Sequence, residues 1–229
     1  MSKKSVAVIG LGQFGQSVVE ELVNTGNDVI AIDNTREAVK KVSAYLPTVF
    51  IADSTNEDAL KELGIADVDV AVVAFGGNQQ ASILTTVILK ELGVKRIIVR
   101  VEDEYYEKVF LRLGATETIA PQKMAGESLA NRIWNSTYSD FYKLDNKFSI
   151  VSIDVNKDFQ GKTLIDINSN FKYGVSIVLI VRNGTSFIPS GRDQILGGDS
   201  VFCVGAPKDI NKFGESLNAV NKKKKILSK

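Results

Sequence analysis

The stretch SVAVIGLGQFGQSVV, Ser5 to Val19, decides the fold. A short apolar run, Val6 to Ile9, meets the glycines of Gly10-Leu-Gly12-Gln-Phe-Gly15, and helical spacing of apolar residues begins at Gln13. That order predicts strand, tight turn and helix. Each glycine has a separate reason in such a unit. Gly10 permits the turn, Gly12 lets the backbone approach a pyrophosphate, and Gly15 lets the helix pack closely on the sheet. The helix N-terminus then faces the phosphates with its unpaired N–H groups.

The pattern continues through the first half. Val29–Ile32, Val49–Ile51, Val70–Ala74, Ile97–Val101 and Glu117–Ile119 read as further strands. Gln13–Asn24, Arg36–Ala44, Glu57–Leu63, Gln79–Leu92 and Tyr105–Leu113 carry apolar residues at helical spacing. Three helices close on Leu60-Lys-Glu-Leu-Gly64, Leu89-Lys-Glu-Leu-Gly93 and Leu111-Arg-Leu-Gly114, where glycine suits the left-handed position past a helix end. Alternating β and α predicts the α/β class: a Rossmann-like doubly wound parallel sheet with helices on both faces.

Within that fold Asp33, at the end of the second strand, is placed to accept hydrogen bonds from ribose hydroxyls and to repel a 2′-phosphate. Asn34 follows it in the same loop. Ala52-Asp53-Ser54-Thr55 leaves the third strand, and Ala74-Phe75-Gly76-Gly77-Asn78 leaves the fourth, so both converge on the same crevice. Two readings stay open for Asp53, Ser54 and Thr55: contact with adenine or ribose, or capping of the next helix. Two stay open for Arg100 as well: a cation beside the phosphates, or an ion pair with Glu102 or Asp103. The adenine-nucleotide site expected here comprises Gly10, Gly12, Gln13, Phe14, Gly15, Asp33, Asn34, Asp53, Ser54, Thr55, Ala74, Phe75, Gly76, Asn78 and Arg100.

Composition narrows the function. The net charge of +1 argues against a nucleic-acid partner, which selects for a basic face. The lysine run Lys222–Lys225 reads as a solvated tail or as a weak anchor for an acidic surface. No apolar run reaches the roughly 20 residues of a membrane helix. Met1-Ser-Lys-Lys leads into a strand without a secretory core, so the expectation is a cytoplasmic protein. The single cysteine, Cys203, sits among apolar neighbours and reads as a core thiol. The chain has no histidine, which removes histidine bases, triads and the commonest metal ligand together. A dehydrogenase needs a proton donor or acceptor beside its nicotinamide. No tyrosine here is followed four residues later by lysine, and no cysteine lies near the crevice in sequence. The expectation is a protein that is not an enzyme. A small NAD(P)-dependent oxidoreductase and a nucleotide sensor for another partner are the alternative readings.

The composition changes after Trp134. Met124–Trp134 is amphipathic, and Met124, Leu129, Ile133 and Trp134 would pack on a partner subunit or on their own domain. Phe148–Val155, Ser176–Arg182, Ser186–Pro189 and Ser200–Gly205 read as strands, with Asn183-Gly184 as a hairpin turn. Leu164–Asn168 and Lys208–Ala219 read as short helices. The division expected is residues 1–140 for the nucleotide domain and 141–229 for a small α+β domain. A module of about eighty residues is marginal alone, which favours dimerisation.

The two halves together resemble the RCK proteins, built from a TrkA-N and a TrkA-C domain, the second being the RCK-C part. These are cytosolic regulatory subunits of bacterial potassium uptake systems, and the Ktr type is the best match. The resemblance is carried by Val8-Ile-Gly-Leu-Gly-Gln-Phe-Gly15, Ala52-Asp-Ser-Thr55, Asn78-Gln-Gln-Ala-Ser82-Ile-Leu-Thr-Thr86, Leu89-Lys-Glu-Leu-Gly93, Leu113-Gly-Ala115, Pro121-Gln-Lys123 and Lys172-Tyr-Gly174. It implies ATP or ADP in the first domain, or NAD(H) as in some members. It implies dimers assembled into an octameric ring beneath a membrane potassium-translocating subunit, peripheral to the inner face of the cell membrane. ATP would favour the conducting state and ADP disfavour it. It also implies a cyclic di-AMP site at the dimer interface of the second domain, on Leu164, Ile165, Asn168, Asn170, Phe171, Lys172, Tyr173 and Pro189; the other reading of Leu164, Ile165 and Phe171 is ordinary core.

Three positions depart from the Ktr pattern. Gln13 stands where those subunits tend to have an arginine that reaches the terminal phosphate. Gln122 stands for a glutamate that helps hold a cation, and an amide is a poor ligand for hard cations, so no metal is expected. Asn170 stands for an arginine on the cyclic di-AMP phosphate.

Overall fold

A computed structural model describes residues 3–135 and 138–219; the Lys222–Lys225 run lies outside the described residues. The chain packs as two compact units, Met1–Lys123 and Met124–Lys229.

The first unit alternates strand and helix: β1 (Ser5–Ile9), α1 (Gln13–Asn24), β2 (Asp28–Asp33), α2 (Arg36–Val42), β3 (Val49–Ile51), α3 (Glu57–Glu62), a 3-10 turn over Ile65–Asp67, β4 (Val70–Val73), α4 (Gln79–Glu91), β5 (Arg96–Arg100), α5 (Glu104–Leu113) and β6 (Glu117–Ile119). The six strands form one parallel sheet in the order β3-β2-β1-β4-β5-β6. Fully apolar strands are what a sheet covered on both faces requires. Alternate residues serve the two faces. Ala7, Ile9, Ala71, Val73, Ile97 and Val99 pack with Leu60, Leu89 and Phe110. Val6, Val8, Ala31 and Val72 pack with Val19, Val42 and Leu46. The strand order reverses between β1 and β4, so the loops leaving those two strands diverge and open a crevice at their carboxyl ends.

Helix α6 (Pro121–Trp134) leads into the second unit, which holds β7 (Tyr138–Lys143), β8 (Ser149–Asp154), β9 (Lys162–Thr163), α7 (Leu164–Ile167), α8 (Ser169–Tyr173), β10 (Ser176–Arg182), β11 (Thr185–Phe187), β12 (Gln194–Ile195), β13 (Ser200–Gly205) and α9 (Pro207–Asn218). Strands β11-β10-β13-β8-β7 make an antiparallel sheet, and β12 pairs with β9. Asn183 and Gly184 both take positive φ, 51° and 78°, which lets Arg182 pair with Thr185 across a two-residue hairpin. Helix α9 sets Ile210, Phe213 and Leu217 against Val151, Ile153, Ile180, Val201 and Cys203. Cys203 is fully buried, and burial pushes its thiol up to about 12.

Strand β7 was not among the strands expected from sequence, and a division after residue 140 would cut it in two. Its pairing with β8 slips between Tyr138 and Asp140, so Tyr138 and Phe141 both turn inward although three residues apart. Ser128 Oγ donates to Phe141 O at 3.0 Å, tying α6 to the same strand. Strands β9 and β12, helix α8 and the 3-10 turn also went unread; each is five residues or shorter.

Candidate functional site

A cleft of about 570 Å³ opens at the carboxyl ends of β1, β2, β3 and β4. It is lined by Gly10, Gly12, Gln13, Asp33, Asn34, Asp53, Ser54, Ala74, Phe75, Gly76 and Asn78 from the residues the sequence singled out. Phe14, Gly15, Thr55 and Arg100 stand outside that lining and act from behind it.

The glycine loop is held from three sides. Gly10 has φ +96°, and its N–H donates to Ile32 O at 2.8 Å. A Cβ on Gly15 would lie 1.9 Å from Gly10 O, so only glycine lets α1 approach this closely. Asp33 Oδ2 accepts the Leu11 N–H at 2.7 Å, and Gln16 Nε2 donates to Leu11 O at 2.6 Å. Both polar groups of Leu11 are therefore fixed by side chains. At Gly12, the N-cap of α1, a Cβ would meet nothing within 4 Å, and no side chain caps the helix. The first-turn N–H groups are left for an anion.

The acids of the two neighbouring loops share one local design. Asp33 Oδ1 accepts from Thr35 N at 2.8 Å and Thr35 Oγ1 at 2.7 Å. Asp53 Oδ1 accepts from Thr55 N at 2.9 Å and Thr55 Oγ1 at 2.7 Å. The Thr55 hydroxyl and N–H hold the Asp53 carboxyl below its ordinary value. Each is an acid closing a turn on the threonine two residues later. Ser54 is buried, with its hydroxyl 2.9 Å from Thr85 Oγ1 of α4. Helix α3 is capped by Asn56, whose Oδ1 accepts from Ala59 N at 3.3 Å, and not by Asp53, Ser54 or Thr55. Asn78 caps α4 in the same manner at 3.1 Å.

Arg100 takes the ion-pair reading. Its side chain is 11% exposed, and Nη2 lies 3.4 Å from Glu102 Oε1. The guanidinium sits 5.9 Å from the centroid of the Phe14 ring. A Cβ on Gly76 would meet Arg100 Nη1 at 2.9 Å. Glu102 Oε1 also accepts the Gly77 N–H at 3.2 Å. Arg100 thus lies beneath the Phe75–Asn78 loop.

Gln16, Thr35, Glu37 and Lys41 also line the cleft and were missed. Gln16 lies three residues beyond Gln13, on the same helix face, and Glu37 and Lys41 are an i,i+4 pair on α2. Those spacings were visible in the sequence.

In the second unit the expected ligand residues divide. Ile165 is 65% exposed and Phe171 89% exposed, so neither is core. Leu164 and Tyr173 do pack on the core, with the Tyr173 ring 5.6 Å from Phe213. Asn168 takes φ 47° between α7 and α8, while Asn170 and Lys172 are exposed. Ile165 N donates to Gly191 O at 3.0 Å, which brings the loop containing Pro189 beside α7. Gln122 is exposed in a groove with Glu102, Asp103 and Glu107.

Comparison with known proteins bears on this geometry. Residues 6–121 match the TrkA-N domain model, and residues 148–218 match the TrkA-C domain model. The chain is 38% identical over 212 residues to the Ktr system potassium uptake protein C of Bacillus subtilis, covering 92% of this chain and 96% of that one. The GsuK RCK domain shares the fold at TM-score 0.66 and 14% identity, over 96% of this chain and 48% of that one. The GsuK channel bound to NAD does so at TM-score 0.65 and 13% identity, over 94% and 39%.

Proposed function

Because the chain belongs to the family built from a TrkA-N domain followed by a TrkA-C domain, we propose that it is a nucleotide-binding regulatory subunit of a membrane potassium transporter, without catalysis of its own. The observation that carries this reading is the cleft at the β1/β4 reversal, where the uncapped end of α1 faces Asp33. The likeness to a protein named for Ktr potassium uptake supplies the physiological direction.

An adenine nucleotide fits the residues present. Its phosphates take the first-turn N–H groups and the Gln13 amide, with Gly12 leaving room for close approach. Asp33 Oδ2 keeps a further lone pair for a ribose hydroxyl beyond its bond to Leu11, while Thr35 takes both lone pairs of Oδ1. ATP, ADP and NAD(H) are the ligands proposed for this cleft. In the second domain the exposed Ile165 and Phe171, with Asn168, Asn170, Lys172 and Pro189 on neighbouring elements, offer apolar surface and polar groups for cyclic di-AMP. We place the protein on the cytoplasmic face of the membrane as a dimer that assembles into an octameric ring, with the TrkA-N and TrkA-C domains as its two functional parts.

Gating then works by population shift. A nucleotide changes transport only by contacting two ring conformations unequally. Thermal-shift titration of the full chain with ATP, ADP, NADH and cyclic di-AMP tests the binding step. A ligand at a hundred times its Kd adds about 2.7 kcal/mol to the stability of the form it binds. At least one adenine nucleotide should raise the melting temperature, and light scattering should show an assembly larger than a dimer. Indifference to every nucleotide, together with a stable monomer, overturns the proposal.

A further inference from the structure

Arg100 is poorly provided for where it lies. Its side chain is 11% exposed, yet Nη2 reaches Glu102 Oε1 only at 3.4 Å, against about 2.8 Å for a well-made charge-assisted bond. Its Nε is buried and meets no protein acceptor among the described residues. The void beside it, about 10 Å³, has room for one water at most. A guanidinium held this loosely adds little to stability, and an apolar side chain of similar length would fill the space as well.

Its contacts point to another use. The guanidinium lies between the Phe14 ring of α1, 5.9 Å away, and Gly76, where a Cβ would fall 2.9 Å from Nη1 and 3.4 Å from Cζ. Gly76 is not among the glycines of positive φ. Room for Arg100, and not backbone conformation, is what its missing side chain provides. Resting on the nucleotide-binding reading above, we propose that Arg100 is a positioning residue, the spacer that sets the Phe75–Asn78 loop against the first turn of α1, and that Gly76 is glycine to admit it. Gln13 on that turn and Gly76 on that loop both line the cleft, so the spacer fixes the separation of two of its walls. The Phe75 ring gives the loop a second seat on Gly10, where a Cβ would meet it at 2.8 Å. Loss of Arg100 therefore shifts the loop without detaching it.

The test is titration calorimetry with ADP and NADH beside thermal denaturation, on the full chain and on Arg100→Met, Arg100→Lys, Gly76→Ala and the Arg100→Met, Gly76→Ala double variant. Arg100→Met should keep its melting temperature within about 2 °C or raise it. It should nonetheless bind nucleotide at least about fivefold more weakly, the low end of coupling between sites. Arg100→Lys keeps the charge and loses the plane, so it should not restore affinity. Gly76→Ala displaces a flexible guanidinium at little steric cost and should copy the loss in Arg100→Met. The double variant should then lose no more than either single one.

Unchanged affinity in Arg100→Met overturns the proposal and leaves the nucleotide-binding reading standing. So does full affinity in Arg100→Lys, which assigns the role to charge. Losses that multiply in the double variant overturn it too, because they show the added Cβ obstructing the nucleotide by itself. Failure of the unaltered chain to bind either nucleotide overturns the reading and the proposal together.

Discussion

Asp33 Oδ2 accepts the backbone N–H of Leu11 at 2.7 Å, so the acid that ends β2 is also a strut of the glycine loop. Its two oxygens serve three donors of the chain before any ligand arrives. An effect of mutating it therefore has two sources, loop support and ribose recognition.

Asp33→Ala should weaken nucleotide binding by about tenfold or more and cost about 1–3 kcal/mol in stability, since the Leu11 N–H is left without its acceptor. Asp33→Asn keeps an acceptor oxygen and should retain most of the stability while still binding less tightly. Calorimetry beside chemical denaturation separates the two effects. Undiminished affinity in the alanine variant would remove Asp33 from the site.

Gly12→Ala and Gly15→Ala should behave oppositely. A Cβ at Gly12 meets nothing within 4 Å, so that variant should fold normally and lose nucleotide affinity through obstruction of the phosphates. A Cβ at Gly15 would be 1.9 Å from Gly10 O, so that variant should lose about 3 kcal/mol or fail to fold. Equal melting temperatures for the two variants contradict this account of the loop.

Arg182 and Asp199 form a bidentate, largely buried ion pair in the second unit. Nε and Nη2 donate to the two carboxylate oxygens at 2.8 Å each, with the Asp199 side chain only 2% exposed. Burial pushes the Asp199 carboxyl up, but the Arg182 bonds and the Leu196 N–H outweigh it and leave it below its ordinary value. Arg182→Met should cost about 3–5 kcal/mol, because an unpaired buried charge remains. The contribution of Asp199 is present above its unfolded pKa and is lost as pH falls through its lower folded pKa. Acid titration of the melting temperature should show that loss, and Asp199→Asn should flatten it.

Phe171→Ser should leave stability within about 0.5 kcal/mol, as expected of an exposed side chain away from the core. It should also abolish the thermal shift from cyclic di-AMP. A full shift in this variant would exclude Phe171 from that site.

Cys203 should resist alkylation in the folded protein at pH 8, since burial holds its thiol near 12 and closes access. Modification should become complete in denaturant. Mass spectrometry of iodoacetamide-treated samples reads both states.

The doubly wound sheet was legible because its central strands are short apolar runs, each followed by a helix-spaced segment, so period and order agree. The cleft loops followed from the rule that ligands bind where strand order reverses. Strand β7 was hidden for a physical reason. The irregularity between Tyr138 and Asp140 breaks the two-residue alternation by which a strand is read, and Asp140 sits between its buried residues Tyr138 and Phe141. Arg100 was ambiguous because sequence order carries no depth. Only the close approach of Gly76 and Phe14 shows that the guanidinium lies under the loop and not over the cleft. Gln16 carries no signal of its role in sequence beyond its spacing from Gln13, because that role is a side-chain bond to the Leu11 carbonyl five residues back, which only the folded glycine loop creates.

The contact of Gly15 with Gly10 O has a kinematic consequence. Helix α1 and the first loop meet without clearance, so a change that parts them would have to move both. The opposite wall, Phe75 to Asn78, packs on the core through Phe75, caps α4 through Asn78 and meets Arg100 at Gly76 and Glu102 at Gly77. A spin-label pair spanning Gln13 and Gly77 reads the distance between the two walls with and without nucleotide.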